Sequence, residues 1–520
     1  MKSFSTVHRI ALVAALLLTV PAVHAADMQP LATSKVSTVS SQDTDTYDKF
    51  IISYRQGSGI RNNRNEVTKD VQFAITASGI GRMASAYSTA TMPSLTVTYK
   101  RKLGIGAELV QTSRRLNAAE ANALMKKIAV NPDVVYVEPD WKLRIDDVAR
   151  PVFPPPRTGV RSKTSIFSPS AFMPNDAFYF LQWNFYASAA SGAHIDNAWD
   201  LASGTGVTVA VIDSGVAPNP DINTIWVCDG YNFSSDDGPN RDKCGWDPGH
   251  PVSSRIPSTW HGTKVQGIIN AETDNVIGLA GVAYNARVIP IRAVPWDGAN
   301  VSDVVDSIEW ASGGHVDGVE DAKYPAQVIN MSFGNMAGPC SRFEALSQAV
   351  QRAVARNVVL VASAGNNDAD NANHIPSSCP GVIAVAATDY FGRRAARYSN
   401  YGAAVALAAP VGGANGPYED YWEWSWLLSN SGTYAPNLDS EPEITPDVGT
   451  SFAAPLVTGT VALMISLRQE AGLPPASPAQ IRAWLTSSAY PFPTPPDRPI
   501  GSGILDAHAA VIKAIESNEN

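Results

Sequence analysis

The hydrophobic pattern is densest between residues 207 and 388. Five short runs there are almost continuously apolar and rich in β-branched residues, as in strands buried on both faces of a parallel sheet. Two segments with apolar residues at helical spacing, 302–312 and 342–357, lie between them. The pattern predicts an α/β fold over residues 172–515, a doubly wound parallel sheet with helices on both faces. The five runs are 207–212, 287–294, 327–333, 358–364 and 382–388.

A smaller region upstream, residues 47–145, has a different pattern and is called the N-terminal region below. Residues 117–130 carry Ala, Leu and Met at helical spacing. Asn117, with Glu120 three residues later, predicts a capped start for this helix. Strands interleaved with helices predict a small α+β domain. Its predicted strands are 49–54, 94–100 and 134–140.

The N-terminus predicts export from the cell. A basic start, an apolar run over 10–20 and small residues at 23–25 are typical of a secretory signal peptide, here residues 1–25. A short membrane anchor is the alternative interpretation. Because later apolar runs fall short of the ~18 residues of a spanning helix, we expect a secreted monomer, extracellular or periplasmic, without a stable membrane anchor.

Charge is distributed unevenly along the chain. Residues 26–171 hold 20 Lys and Arg against 13 Asp and Glu, a net charge of +7, whereas residues 172–520 hold 17 against 35, a net charge of −18. The acidic part argues against nucleic acid as a partner. Opposite charges favour association of the two parts. Residues 146–171 between them are rich in Pro, Ser and basic residues, which predicts a linker.

Four polar residues could meet at one edge of the predicted sheet. Asp213 directly follows a buried strand, His261 begins a helical run, and Ser451 begins a long apolar helical run. These are the side chains that make a serine hydroxyl nucleophilic. Asn366 follows another strand, and its amide could donate to a developing oxyanion. Taken singly, each of the three also has a structural explanation, as a turn aspartate, a structural histidine and an N-cap serine.

The sequences around these residues are VIDSG, HGT, SAGN and GTSFAAP. Together they resemble the subtilisin-like serine proteases, the subtilases, over roughly 200–512. The resemblance implies a serine endopeptidase in which Asp213, His261 and Ser451 form the triad, and Asn366 and the Ser451 N–H bind the oxyanion. It implies polypeptide substrates paired with an enzyme strand beside a pocket wall. The implied substrate-binding residues are Ser332, Phe333 and Gly334 for the strand, and Ala364 and Gly365 for the wall.

The N-terminal region likewise resembles the inhibitory, folding-assisting propeptide of this family, a ferredoxin-like α+β domain. The implication is a zymogen that is autoprocessed within 146–171. Two positions depart from the family pattern: Lys264 stands where HGTH has its second histidine, and Leu456 replaces the histidine of AAPHV. A catalytically inactive, peptide-binding relative is the alternative function. The aromatic and acidic stretch 418–447 predicts either a cleft rim or a surface insertion.

The sequence also contains candidate calcium ligands and four cysteines. Asp221 and Asn275 match two calcium ligands of the family, and both offer the oxygen donors that Ca²⁺ prefers. An acidic loop is a second calcium candidate or a solvated loop; its carboxylates are Asp236, Asp237, Asp242 and Asp247. The four cysteines, with no CxxC pair, indicate disulfides rather than zinc. Three pairings are possible, and we favour the sequence-local one, Cys228–Cys244 with Cys340–Cys379.

Overall fold

The computed structural model describes most of the chain after residue 34. The predicted signal peptide, 1–25, lies outside the described residues, as does almost all of the predicted linker, 146–171. The described residues are 35–40, 45–80, 94–145, 148, 172–238, 243–414, 421–438 and 442–516.

The N-terminal region is a four-stranded antiparallel sheet with two helices. The strand order is β2-β3-β1-β4. The predicted capping box is present, with Asn117 accepting from the Glu120 N–H and Glu120 accepting from the Asn117 N–H. The elements are β1 (Tyr47–Tyr54), α1 (Arg64–Ser78), β2 (Val97–Lys102), β3 (Glu108–Leu116), α2 (Ala118–Ile128) and β4 (Val134–Pro139), followed by a short strand, β5 (Lys142–Leu143).

A seven-stranded parallel sheet organises the remaining described residues. Its strand order is β13-β12-β11-β10-β6-β8-β7. The elements are α3 (Ile195–Ala198), β6 (Thr208–Asp213), β7 (Tyr231–Asn232), α4 (His261–Asn270), β8 (Arg287–Arg292), β9 (Ala299–Asn300), α5 (Val301–Ala311), β10 (Val328–Met331), α6 (Glu344–Ala355), β11 (Val359–Ser363), β12 (Val382–Thr388), β13 (Val405–Pro410), β14 (Ser425–Ser429), β15 (Glu443–Asp447), α7 (Thr450–Glu470), α8 (Pro478–Ser488) and α9 (Ala507–Glu516).

Both faces of this sheet are buried, which explains the continuous apolar runs. Along β6, Val209 and Val211 pack in a core with α4, α7 and α9. Ala210 and Ile212 pack in a second core with α5, α6 and the N-terminal region. The predicted α/β fold with helices on both faces is confirmed.

The order of the strands places the site. β8 and β7 lie on one side of β6, and β10 to β13 follow in order on the other side, so the direction of the connections reverses between β6 and β10. In open α/β sheets, ligands bind beyond the carboxyl ends of the strands at such a reversal. Asp213 ends β6, and Ser332 directly follows β10.

In the described part of the stretch 418–447, β14 is buried, whereas residues 431–438 are half-buried or exposed. β14 and β15 form an antiparallel hairpin, and the tryptophans Trp424 and Trp426 are buried. The hairpin covers α4 so closely that a Cβ added to Gly267 would lie 3.1 Å from Leu428. Residues 418–420 and 439–441 lie outside the described residues.

The helix α7 corrects one expectation about apolar runs. Among the described residues it is the one helix long and apolar enough to cross a membrane, by length and composition alone. However, 89% of its most apolar window is buried inside the protein. The run that looks like a membrane span is therefore a core helix.

Both disulfides have the predicted pairing. Cys228 is bonded to Cys244, and Cys340 is bonded to Cys379. Each closes a loop local in sequence, 16 and 39 residues apart respectively.

Candidate active site

Asp213 and His261 form a buried pair. The Nδ1 atom of His261 lies 2.8 Å from Oδ1 and 3.0 Å from Oδ2 of Asp213. Both residues are almost completely inaccessible, at 0% and 1% exposure. Nε2 of the same imidazole is also buried and has no hydrogen-bond partner among the described residues. A carboxylate on Nδ1 fixes the tautomer that leaves Nε2 able to accept a proton.

A second layer of polar groups holds this pair. The Ser214 hydroxyl accepts from the Gly262 N–H at 3.0 Å and donates to Asp247 at 2.8 Å. Asp247 pairs with the buried guanidinium of Arg292, which also donates to the Ser214 carbonyl. These hydrogen bonds connect Ser214, which follows Asp213, to Gly262, which follows His261. They therefore help to fix the position of the Asp213 side chain relative to that of His261.

Ser451 is the second residue of α7, and Gly449 is the N-cap, so the N-cap interpretation of this serine is wrong. Gly449 has a φ of 141°, in a region that favours glycine. The Ser451 hydroxyl donates to the Ser332 carbonyl at 3.1 Å, and the Ser332 hydroxyl donates to the Ser451 carbonyl at 2.8 Å. The next residue, Phe452, has its ring centroid 5.6 Å from that of His261.

Asn366 is oriented by a residue that sequence reasoning missed. Its Oδ1 accepts from both the backbone N–H and the hydroxyl of Thr450, each at 2.8 Å. This leaves its Nδ2 on the side of Gly449, where an added Cβ would lie only 3.1 Å away. Thr450 lies inside the GTS motif, directly before Ser451. This position in the motif was the sequence signal that could have identified Thr450 as a residue of the site.

A strand of the N-terminal region lies against the predicted substrate strand. Arg144 and Gly334 exchange two backbone hydrogen bonds, at 2.9 and 2.8 Å. On the other side, β5 pairs antiparallel with β9. Val148 lies near the turn before Ser451. Its Cγ2 atom is 3.7 Å from the position that a Cβ on Gly449 would occupy. Residues 142–144 therefore lie as an extended strand between β9 and the predicted substrate strand.

The other predicted substrate-binding residues line the same region. Ser332, Phe333 and Ala364 are buried. Gly365 donates its N–H to the Thr450 hydroxyl at 3.0 Å. With φ of 102°, it leaves no room for a Cβ, which would lie 2.3 Å from Asn400 Nδ2. That these four residues select a substrate side chain stays a prediction.

Two carboxylates of the N-terminal region cap helices that belong to residues 172–516. Glu138 accepts from the Glu344 and Ala345 N–H groups at the start of α6. Asp140 accepts from the N–H and hydroxyl of Ser302 at the start of α5. Burial raises the pKa of Glu138 to about 8 and that of Asp140 to about 6. The caps satisfy helix N–H groups that have no intrahelical acceptor.

Ion pairs also cross this interface in the direction the charge split predicts. Arg101 lies 2.9 Å from the buried carboxylates of both Asp303 and Asp306. Lys49 contacts Asp236 at 3.3 Å. In each pair the cation belongs to the basic N-terminal region and the anion to the acidic remainder.

Asp221 and Asn275 are brought together. Asp221 is buried, and its two oxygens accept from Asn275 Nδ2 at 2.8 Å and from the Leu279 N–H at 2.7 Å. Burial, together with the nearby carboxylates of Asp176 and Glu272, raises the pKa of Asp221 to about 7. The Oδ1 atom of Asp176 is buried without a hydrogen-bond partner among the described residues.

The second calcium candidate is organised differently. Asp236 contacts lysines, and Asp237 and Asp247 contact Arg292. Asp242 lies outside the described residues. Within the part of the chain that the structure describes, no three His, Cys, Asp or Glu side chains form a metal-binding group. These carboxylates are neutralised by basic side chains instead.

Lys264, the first departure from the family pattern, has an acidic partner. Its ammonium lies 3.1 Å from Asp447 Oδ2, and both side chains are 2% exposed or less. Asp447 ends the strand that leads into Ser451, and Lys264 lies one helical turn beyond His261. Leu456, the second departure, is buried in the apolar core around α7.

The chain is similar to known proteins over most of its length. The subtilase family model matches residues 204–504. The chain is 35% identical over 485 residues to an extracellular protease of Xanthomonas campestris, covering 90% of this chain and 73% of the relative. It is 34% identical over 492 residues to an extracellular basic protease of Dichelobacter nodosus, covering 91% and 71%.

Solved structures show the same likeness. A protease from Pseudoalteromonas arctica is 39% identical, with a TM-score of 0.59, over 66% of this chain and 99% of that one. Fervidolysin from Fervidobacterium pennivorans shares the fold at 24% identity, with a TM-score of 0.60, over 90% of this chain and 62% of that one. From the family match over most of the described catalytic region, the chain belongs to the subtilase family and is a secreted serine endopeptidase.

Proposed function

We propose that Ser451 is the nucleophile of peptide-bond hydrolysis, with His261 as its general base and Asp213 orienting the imidazole. The buried Asp213–His261 pair, at 2.8 Å with Nε2 unpartnered among the described residues, is the observation that carries the proposal. Ser451 donates to Ser332 in this state, so a rotation of its hydroxyl toward Nε2 precedes proton transfer. The Ser451 oxygen then attacks the substrate carbonyl as His261 takes its proton. The tetrahedral intermediate expels the amine, which receives that proton from His261 and leaves an acyl-enzyme that water hydrolyses.

The same proposal assigns the oxyanion to two donors. They are the Asn366 amide, whose oxygen is held by Thr450, and the backbone N–H of Ser451. This N–H lies in the first turn of the 21-residue helix α7, where N–H groups lack intrahelical acceptors. The positive end of the helix dipole favours the developing negative charge.

The N-terminal region is proposed to inhibit the enzyme until the chain is cut within 146–171. The paired backbones of Arg144 and Gly334 support this, because an extended peptide bound to the enzyme strand would compete with substrate. The helix caps from Glu138 and Asp140 support a second proposed role, guidance of folding. The proposed partners of the enzyme are therefore polypeptide substrates and the enzyme's own propeptide.

A fluorophosphonate probe tests the nucleophile directly. We expect the processed wild-type protein to be labelled on the peptide that contains Ser451, because a serine activated by a histidine base attacks phosphorus as it attacks a carbonyl. The Ser253→Ala variant, which alters an exposed serine, serves as control and should still be labelled. Absence of labelling in processed, folded protein would favour the alternative, an inactive peptide-binding relative.

We also propose that Asp221 and Asn275 contribute to a structural Ca²⁺ site. The fit rests on the acidity around Asp221, where burial and, to a smaller extent, the neighbouring carboxylates raise its pKa, and one buried Asp176 oxygen is unpartnered among the described residues. A divalent cation would offset that repulsion. The side-chain oxygens of Asp221 and Asn275 would be the ligands, completed by backbone carbonyls or water.

Calcium is therefore expected to raise the melting temperature of the protein, and EDTA to lower it. Ligand that binds only the native state stabilises it by about 2.7 kcal/mol at a concentration 100-fold above Kd. Differential scanning fluorimetry of the Ser451→Ala protein avoids self-digestion. The Asp221→Asn variant should lose the response, whereas Asp321→Asn, which alters an exposed carboxylate, should keep it. Identical melting curves in calcium and EDTA would contradict the site.

A further inference from the structure

The side chain of Lys142 contacts two carboxylates and a backbone carbonyl. The ammonium of Lys142 lies 2.5 Å from Asp236 Oδ2, 3.5 Å from Asp297 Oδ2 and 3.0 Å from the Gly298 carbonyl oxygen. We call Asp236 and Asp297 the acidic pair. Lys142 belongs to the N-terminal region, and the acidic pair belongs to the enzyme.

The backbone around Lys142 is fixed as a bound peptide strand would be. Lys142 pairs antiparallel with Asn300 in β9, and its carbonyl accepts from Asn335 Nδ2 at 2.9 Å. Strand pairing of this kind holds any extended peptide in one register and points alternate side chains to fixed places. A substrate on the same strand would therefore place one particular side chain beside the acidic pair.

Asp236 is held in position by a contact that does not involve Lys142. Asn300 Nδ2 donates to Asp236 Oδ2 at 3.1 Å, from the same strand that pairs with the peptide. The two lysines that contact Asp236 among the described residues, Lys49 and Lys142, both lie in the N-terminal region. Removal of this region would leave two carboxylates facing the cleft with their lysine partners gone. The next residue, Leu143, is completely buried, so the neighbouring position takes an apolar side chain.

We propose that the acidic pair is a substrate subsite that selects Lys or Arg at the position of Lys142, immediately before a buried apolar residue. The inference rests on the proposed function, because it assumes that substrates bind on the strand used by residues 142–144. The pair is 29% and 40% exposed at its side chains, so each contact is a partly screened ion pair. Two such contacts together correspond to a preference of about three- to tenfold.

Cleavage-site profiling tests the subsite. Processed enzyme is incubated with a library of peptides from denatured proteins, and the new termini are identified by mass spectrometry. We expect Lys and Arg to be enriched about three- to tenfold over Met and Gln at one fixed position upstream of the cut. The enrichment should shrink as salt is raised, because the ion pairs are partly exposed.

The Asp236→Asn/Asp297→Asn variant should lose this enrichment while its preferences at other positions stay. Its matched control, Glu320→Gln/Asp321→Asn, removes two exposed carboxylates outside the cleft strands and should keep the enrichment. If the double variant does not mature, Asp297→Asn alone should lose part of it. Basic enrichment that is absent in wild type, or that survives in these Asp variants, overturns the subsite alone. A wild-type enzyme that cuts no peptide would overturn the proposed function and the subsite together.

Discussion

The Ser451→Ala variant is expected to accumulate with its N-terminal region uncut. Removal of one hydroxyl deletes the proposed nucleophile and, among the described residues, its 3.1 Å hydrogen bond to the Ser332 carbonyl. Folding should therefore survive, whereas peptidase activity should fall by at least about 10⁴-fold. In the wild type we expect a cut between residues 146 and 171.

Intact-mass spectrometry of the purified variant decides this prediction. Wild-type protein expressed in parallel is the control for other proteases in the host. If Ser451→Ala is trimmed to the wild-type N-terminus in the absence of other proteases, either Ser451 is not the nucleophile or maturation is not autocatalytic. Peptidase activity at the wild-type level separates the two, because only the first possibility permits it.

After the cut in wild type, the released N-terminal region should bind more weakly as salt and pH rise. Salt screens the contacts between oppositely charged parts, although the pairs of Arg101 with two buried aspartates are screened less. The pH effect follows from the raised pKa values of Glu138 and Asp140, about 8 and about 6 in the complex. Exposed carboxyl groups titrate near ~4, so the complex holds protons that the separated parts lose. Association therefore weakens between about pH 4 and pH 8.

The strands and the candidate triad were predictable because local signals specify them. A strand buried on both faces must be apolar throughout, so β6 and β12 could be found from composition alone. Asp213 and Ser451 stand at the end of a strand and the start of a helix, which brings them to one edge of the sheet. Short sequence separation likewise favoured the disulfide partners that the structure has.

Contacts between distant residues were not predictable in the same way. Nothing near Glu138 indicates that its carboxylate caps a helix starting 206 positions later. The acidic loop around Asp236 suggested a metal because its basic partners, Lys142 and Arg292, are remote in sequence. Such pairings depend on how whole elements pack, and a single sequence shows only which charges need a partner.

Replacement of Lys264 by methionine should cause a large loss of stability. The side chains of Lys264 and Asp447 are almost completely inaccessible, and their ion pair joins the helix of His261 to the strand that leads into Ser451. Methionine fills a similar volume but leaves the Asp447 carboxylate buried without that cation. Removal of one partner from a buried ion pair typically lowers the free energy of unfolding by about 3–5 kcal/mol. Because the pair links the base to the nucleophile, activity per folded molecule should fall as well.

The unfolding midpoint in urea, measured in the Ser451→Ala background to prevent self-digestion, checks the stability loss. The double variant Lys264→Met/Asp447→Asn should recover most of it, because the uncompensated charge is gone and an amide oxygen can still accept from the Val448 N–H. The matched control is Lys323→Met, which breaks an exposed lysine–aspartate pair of similar length, 3.2 Å, and should barely change the midpoint. Equal midpoints for Lys264→Met and Lys323→Met would show that burial of the Lys264–Asp447 pair adds nothing to stability. A double variant no more stable than Lys264→Met would show instead that the loss of stability comes from packing and not from the buried, uncompensated Asp447 carboxylate.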